Sequence, residues 1–142
     1  MADSPESRSR TGMTQARLLT AAAELLGCAH GYVRNGWCQG ADATDASGEP
    51  VEPWSADAAR WSLLGAIVAA LGRPDSCPAR QLPLPALAIA MGALADLIYE
   101  PSLARWNDDP LRSQREVLTV LERAQVICFS RGHDRVEPEP LL

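Results

Sequence analysis

From Thr14 onward the chain carries apolar stripes that return every three or four residues, separated by short polar breaks, which is the pattern of amphipathic helices. Leu18, Leu19, Ala22, Leu25, Leu26 and Ala29 make the first stripe, with Thr14 as its N-cap and fraying expected between Gly27 and Gly36. Between Trp37 and Val51 the helical period vanishes, and Asp45-Ala46-Ser47-Gly48 reads as a turn, so a short β-hairpin-like excursion is expected there. Ser55 then caps an expected second helix to Leu71, with Asp57 in its first turn and Gly72 and Pro74 as stop signals. Trp61, Leu64, Gly65, Val68 and Leu71 fall on one stripe of that helix and Leu63, Ile67 and Ala70 on another. An element apolar around most of its circumference is expected at the centre of the fold.

A Pro-rich linker over 73–83 precedes Pro85, which suits the first position of a third helix running to Tyr99 and stopped by Pro101. Ser113-Gln114-Arg115-Glu116 is a capping box, in which hydroxyl and carboxylate each satisfy the other residue's backbone N–H. It opens a fourth helix with Val117, Leu118, Leu121, Ala124 and Cys128 as its buried stripe. Residues 1–13 and 131–142 lack periodicity and are expected to be disordered, with Met13 as an alternative start. The pattern therefore predicts a mainly α fold: one domain over 14–130, a bundle of about four helices with the excursion between helices one and two. A length of 142 residues at 46% hydrophobic content is enough for one core.

Composition removes several chemistries. All 13 basic residues are Arg, and without Lys there is no Schiff-base enzyme, Walker A loop or Ser-Lys dyad. The formal net charge is -5, and Asp42, Asp45, Glu49, Glu52 and Asp57 crowd the stretch from Ala41 to Arg60, which would repel nucleic acid. No apolar run is long enough for a membrane span. Cys28, Cys38, Cys77 and Cys128 are widely spaced and follow no secretory signal, so reduced thiols in a cytoplasmic protein are expected.

Polar and aromatic residues interrupt the Ala- and Leu-rich background at Gly36-Trp37-x-Gln39-Gly40, Asp45-x-x-Gly48, Trp61-Ser62-Leu63-x-Gly65-Ala66 and Trp106-Asn107-Asp108-x-x-x-Arg112-Ser113-x-x-Glu116-Val117-Leu118. In these motifs and their order, over roughly residues 16–125, the chain resembles a family of small uncharacterised domains from actinobacteria and their phages. Ser62 stands where that family often has Cys, Leu111 where it often has Gly, and Ser113 where it often has Thr, which keeps the capping hydroxyl. The resemblance implies the fold and carries no activity.

The candidate site residues follow from the same motifs. Trp106, Asn107 and Asp108 lie ahead of Pro110, where Asx residues cap turns and Trp106 fills the core, or where an indole and an amide floor a pocket. Trp37 and Gln39 open the excursion, and the indole suits either core or ligand. Asp42 and Asp45 are solvated loop charges or an acid/base pair. Asp96, alone on an apolar helix, either faces solvent or pairs with Arg60, Arg105 or Arg112. Cys28-x-His30 and Cys38 lack the paired spacing of a zinc site, so no metal and no cofactor is expected. Cys38 is the best thiol nucleophile and would need His30; His133 falls in the tail.

The expected role is non-catalytic binding of a small molecule or protein partner. Its surface joins Trp37, Gln39 and Asp45 to Trp106, Asn107, Asp108 and Arg112, without nucleic acid or membrane and with a homodimer as one option. The alternative is a small cofactor-independent enzyme of specialised metabolism, with Asp42, Asp45 or Asp108 moving protons in a Trp-lined pocket.

Overall fold

A computed structural model describes residues 5–72 and 82–136, with side chains over 15–72 and 82–131. In chain order the elements are α1 (Pro5–Asn35), β1 (Ala43–Thr44), β2 (Arg60–Trp61), α2 (Leu63–Gly72), α3 (Leu84–Leu97), α4 (Leu103–Asn107) and α5 (Gln114–Val136). The fold is the expected helical bundle with a short antiparallel pairing between the first two helices, plus one short extra helix, α4.

α1 departs from expectation at both ends. It begins at Pro5, inside the segment expected to lack order, so Thr14 is an interior position and not a cap. It also passes unbroken through Gly27 and Gly31, where fraying was expected. The reason is tertiary: Gly27 lies under the side chain of Gln125, His30 Nε2 meets Glu122 Oε2 at 2.8 Å, and Val33 O accepts a 2.8 Å bond from Gln114 Nε2. Positions rise along α1 as they fall along α5, so the two helices are antiparallel. Packing of Ala22, Leu25, Leu26, Ala29 and Val33 near Val117, Leu121, Ala124 and Cys128 buries one core and outweighs glycine's weak helix propensity. α1 packs on α2, α3 and α5, and is therefore the hub expected of the second helix.

The second helix starts later than predicted. Ser55 does bond the next turn, Oγ accepting from Asp57 N at 3.0 Å, but the chain then extends into β2. Ala43 pairs with Trp61 and Thr44 with Arg60. In the strand Trp61 is buried beside Tyr32, with ring centroids 4.8 Å apart, and its indole N–H donates to Pro53 O at 3.0 Å. A helical Trp61 would forfeit that partner for a buried N–H. Ser62 caps α2 instead: its Oγ accepts from Gly65 N at 3.0 Å and its carbonyl from Ala66 N at 2.8 Å.

The Asp45–Gly48 turn forms as the sequence predicts. Asp45 Oδ1 accepts from Ser47 N and Glu49 N at 2.9 Å each, and Gly48 takes a φ of +91° that favours glycine. α3 begins one residue before Pro85 and ends two short of Tyr99. Asp96 on α3 faces solvent and pairs with Arg131 Nη2 at 3.0 Å, a partner outside the three expected and an exposed ion pair of small energetic weight. α5 continues to Val136, into the stretch expected to be a disordered tail; residues 73–81 of the expected linker, Cys77 among them, and residues 137–142 lie outside the described residues, as does the side chain of His133.

The capping box of α5 is complete: Ser113 Oγ accepts from Glu116 N at 3.2 Å and Glu116 Oε1 from Ser113 N at 2.9 Å. Ser113→Ala is expected to lower stability by about 1 kcal/mol. The check is a shifted urea midpoint at unchanged slope; an unmoved midpoint would show that the box contributes nothing.

Candidate functional site

The polar motifs meet around one side chain. Asn107, the last residue of α4, is 0% exposed, and both ends of its amide are occupied. Oδ1 accepts from Trp37 Nε1 at 2.8 Å and from Leu63 N at 3.0 Å. Nδ2 donates to Cys38 O at 3.1 Å and to Asp108 Oδ1 at 3.0 Å. The bond to Leu63 N satisfies one of the N–H groups that the start of α2 leaves open, so Asn107 completes a helix cap from a distant part of the chain. One amide thus ties the chain after α1, the first turn of α2 and the end of α4 together.

The neighbours extend this staple. Gln39 Nε2 donates to Asn107 O at 2.9 Å and to Asp109 O at 2.8 Å. Gly40, at a φ of +83°, presents its N–H to Asp108 Oδ1 at 3.0 Å. Arg112 donates from Nε to Trp106 O at 2.9 Å, lies 3.9 Å over the Trp106 ring, and faces Asp109 at 3.9 Å and Glu116 at 3.6 Å. Trp37, Gln39, Asn107 and Asp108 therefore converge, and Trp106 with Arg112 forms an adjoining unit. Both indoles are half-buried against the core.

Asp45 stands apart, its Oδ1 in the turn and its carbonyl accepting from Arg60 Nη1 at 3.3 Å. The Asp42 side chain is exposed, while its carbonyl accepts from Ser62 N at 3.0 Å and presses on Gly65. Cys38 is buried with its Sγ donating to Ala41 O at 3.5 Å. Burial raises its thiol above the ordinary range, against a hydrogen bond with Thr44; the charge of Asp108 raises it further, Arg60 opposes, and Asp42 adds. The thiolate is the nucleophile, so these surroundings work against the Cys38 chemistry that sequence left open. His30 is held by Glu122 on α5, and no hydrogen bond among the described residues joins it to Cys38. Among the described residues no group of three His, Cys, Asp or Glu side chains is placed to hold a metal ion.

Beside the staple lies an open groove of about 300 Å³, lined by Trp106, Ser113, Arg115, Glu116, Thr119 and Val120. Arg115, Thr119 and Val120 were not among the residues singled out from sequence. Their only signal is spacing: 115 and 119, like 116 and 120, lie one helical turn apart and share a face next to the capping box.

A family model matches residues 10–126, which takes in every motif of the staple and the groove. The chain belongs to DUF6197, a family of unknown function. No curated protein and no solved structure matches it. Within this DUF6197 domain the residues of the polar and aromatic motifs have structural partners in hand: Trp37, Gln39 and Gly40 bond the 107–109 corner, Ser62 caps α2, Gly65 admits the Asp42 carbonyl, and Ser113 and Glu116 cap α5. No helix among the described residues is long and apolar enough to cross a membrane.

Proposed function

We propose that this DUF6197 domain is a non-catalytic binding domain, acting in the cytoplasm, that takes a small molecule in the groove beside Trp106. The observation that carries this reading is how the polar side chains are used. Asp45 and Asp108 accept backbone N–H bonds, Asn107 has no capacity left, and Arg112 is engaged on every side, so the motif residues act as scaffold. The groove next to them is left uncovered, at the lower end of the size range of ligand pockets, about 300–1,000 Å³. The acid/base alternative would use Asp42, Asp45 or Asp108, of which Asp45 and Asp108 are already accepting backbone N–H bonds.

Docking of a protein partner or a second copy is the second reading. It is favoured by Val126 and Phe129, 60% and 51% exposed and three residues apart on α5.

A fragment screen followed by amide chemical shifts tests the first reading. Hits are expected to perturb Glu116, Thr119, Val120 and the Trp106 indole together. Hits that cluster instead at the 37–45 excursion, or a screen with none, would count against a groove-binding role.

A further inference from the structure

Arg115 lines the groove and Arg112 contacts two of its lining residues, Trp106 and Glu116, and the two arginines differ in what they have left to offer. Arg112 is 18% exposed in its side chain and committed to Trp106 O, the Trp106 ring, Asp109 and Glu116. Arg115 lines the groove, is exposed, and has no hydrogen bond or ion pair with any described residue. The acid on the same wall, Glu116, accepts from Ser113 N and faces Arg112, and it makes no ion pair with Arg115. Thr119, one helical turn beyond Arg115, is half-buried, and its hydroxyl likewise has no partner among the described residues. The rest of the lining is the apolar Trp106 ring and Val120, with Ser113, whose hydroxyl is taken up by the capping box with Glu116.

We infer that the groove takes a small monocarboxylate, its charged end held by Arg115 and Thr119 and its apolar body against Trp106 and Val120. This rests on the groove being the binding site and adds the chemistry of the ligand. A guanidinium presents its N–H groups as a planar fork that fits a carboxylate with two parallel bonds, and the threonine hydroxyl supplies a third donor. The chain's net charge of -5 does not oppose this at contact range, because exposed charges are screened beyond about 8–10 Å at ordinary ionic strength. The single uncommitted guanidinium sets the ligand's charge: one cation matches a monoanion better than a doubly charged phosphate ester.

The test is a pair of amide-shift titrations on the full chain with 4-phenylbutyrate and 4-phenylbutanamide, which share shape and differ in charge. The acid is expected to bind at least about tenfold more tightly, the ratio one charge-assisted contact supplies, with shifts at Thr119, Val120 and Trp106. Arg115→Gln is expected to bring the acid down to the level of the amide at an unchanged melting temperature, since Arg115 holds no described partner. Thr119→Val is expected to weaken the acid alone. Equal affinity of the two probes, a preference that survives Arg115→Gln, or tighter binding of phenyl phosphate would overturn the carboxylate assignment while leaving the groove as the site. Absence of shifts at the groove with all probes would overturn both.

Discussion

Asn107→Ala is expected to cost at least about 3 kcal/mol and to leave the domain largely unfolded near its working temperature. The truncation leaves Trp37 Nε1, Leu63 N and Cys38 O without their partner, and each buried polar group deprived of a bond costs about 1–3 kcal/mol. Against a total stability of about 5–15 kcal/mol, that loss is decisive. Asn107→Asp separates the hydrogen bonds from the side-chain volume. It keeps the acceptor for Trp37 and Leu63 but places a second carboxylate oxygen against Cys38 O and Asp108 Oδ1, where an amide donated before. A buried carboxylate facing two acceptors is expected to lose nearly as much as Ala. Trp37→Phe removes one donor and leaves Asn107 Oδ1 bonded to Leu63 N, so it should cost far less. Urea unfolding of the three variants reads the order directly. An Asn107→Ala protein within about 1 kcal/mol of wild type would mean that the four bonds are dispensable.

Gly65→Ala is the second large effect, and it arises from shape. A Cβ at position 65 would run into the Asp42 carbonyl oxygen and stand 2.6 Å from the carbonyl carbon. That carbonyl cannot swing away, because it also accepts from Ser62 N and belongs to the residue that leads into β1. Overpacking of this kind costs about 1–3 kcal/mol or more, and here the obstacle is backbone, so the upper end applies. Gly92, in the middle of α3, has nothing within 4 Å of its would-be Cβ. Gly92→Ala is expected to gain about 0.5–1 kcal/mol from helix propensity alone. Melting temperatures that move in opposite directions for the two substitutions support the close approach. If both rise, α2 and the excursion have room to part.

These two positions also explain which parts of the architecture were legible. The α5 capping box, the Asp45–Gly48 turn and the near-correct bounds of α3 were readable because each rests on residues within a few positions of one another. The start of α2 was not. Ser55 and Ser62 are both locally valid caps, and Ser55 does hold a turn; Ser62 wins because Asn107, 44 residues beyond Leu63, caps the same helix start and Trp61 needs Pro53 O and Tyr32. The unbroken passage of α1 through Gly27 and Gly31 has the same origin, in an α5 that lies about a hundred positions away.

For the candidate site, residue types and motif order identified Trp37, Gln39, Asn107 and Asp108 as special, but two roles were open to each. Their joint use around one amide, across separations of 70 residues for Trp37 and 69 for Cys38, joins them in a staple that spacing along the chain could not show. Arg115 and Thr119 are set apart by the fold, which leaves them on the groove while Arg112 is drawn to Trp106, Asp109 and Glu116. Local periodicity and caps were enough to specify a helical domain and its excursion, because those features depend on short-range geometry, while the order of the polar and aromatic motifs pointed to a family of uncharacterised domains. Which polar groups satisfy one another, and which are left facing a groove, came with the assembled fold, since a buried donor takes whatever acceptor packing brings to it, however far along the chain that acceptor lies.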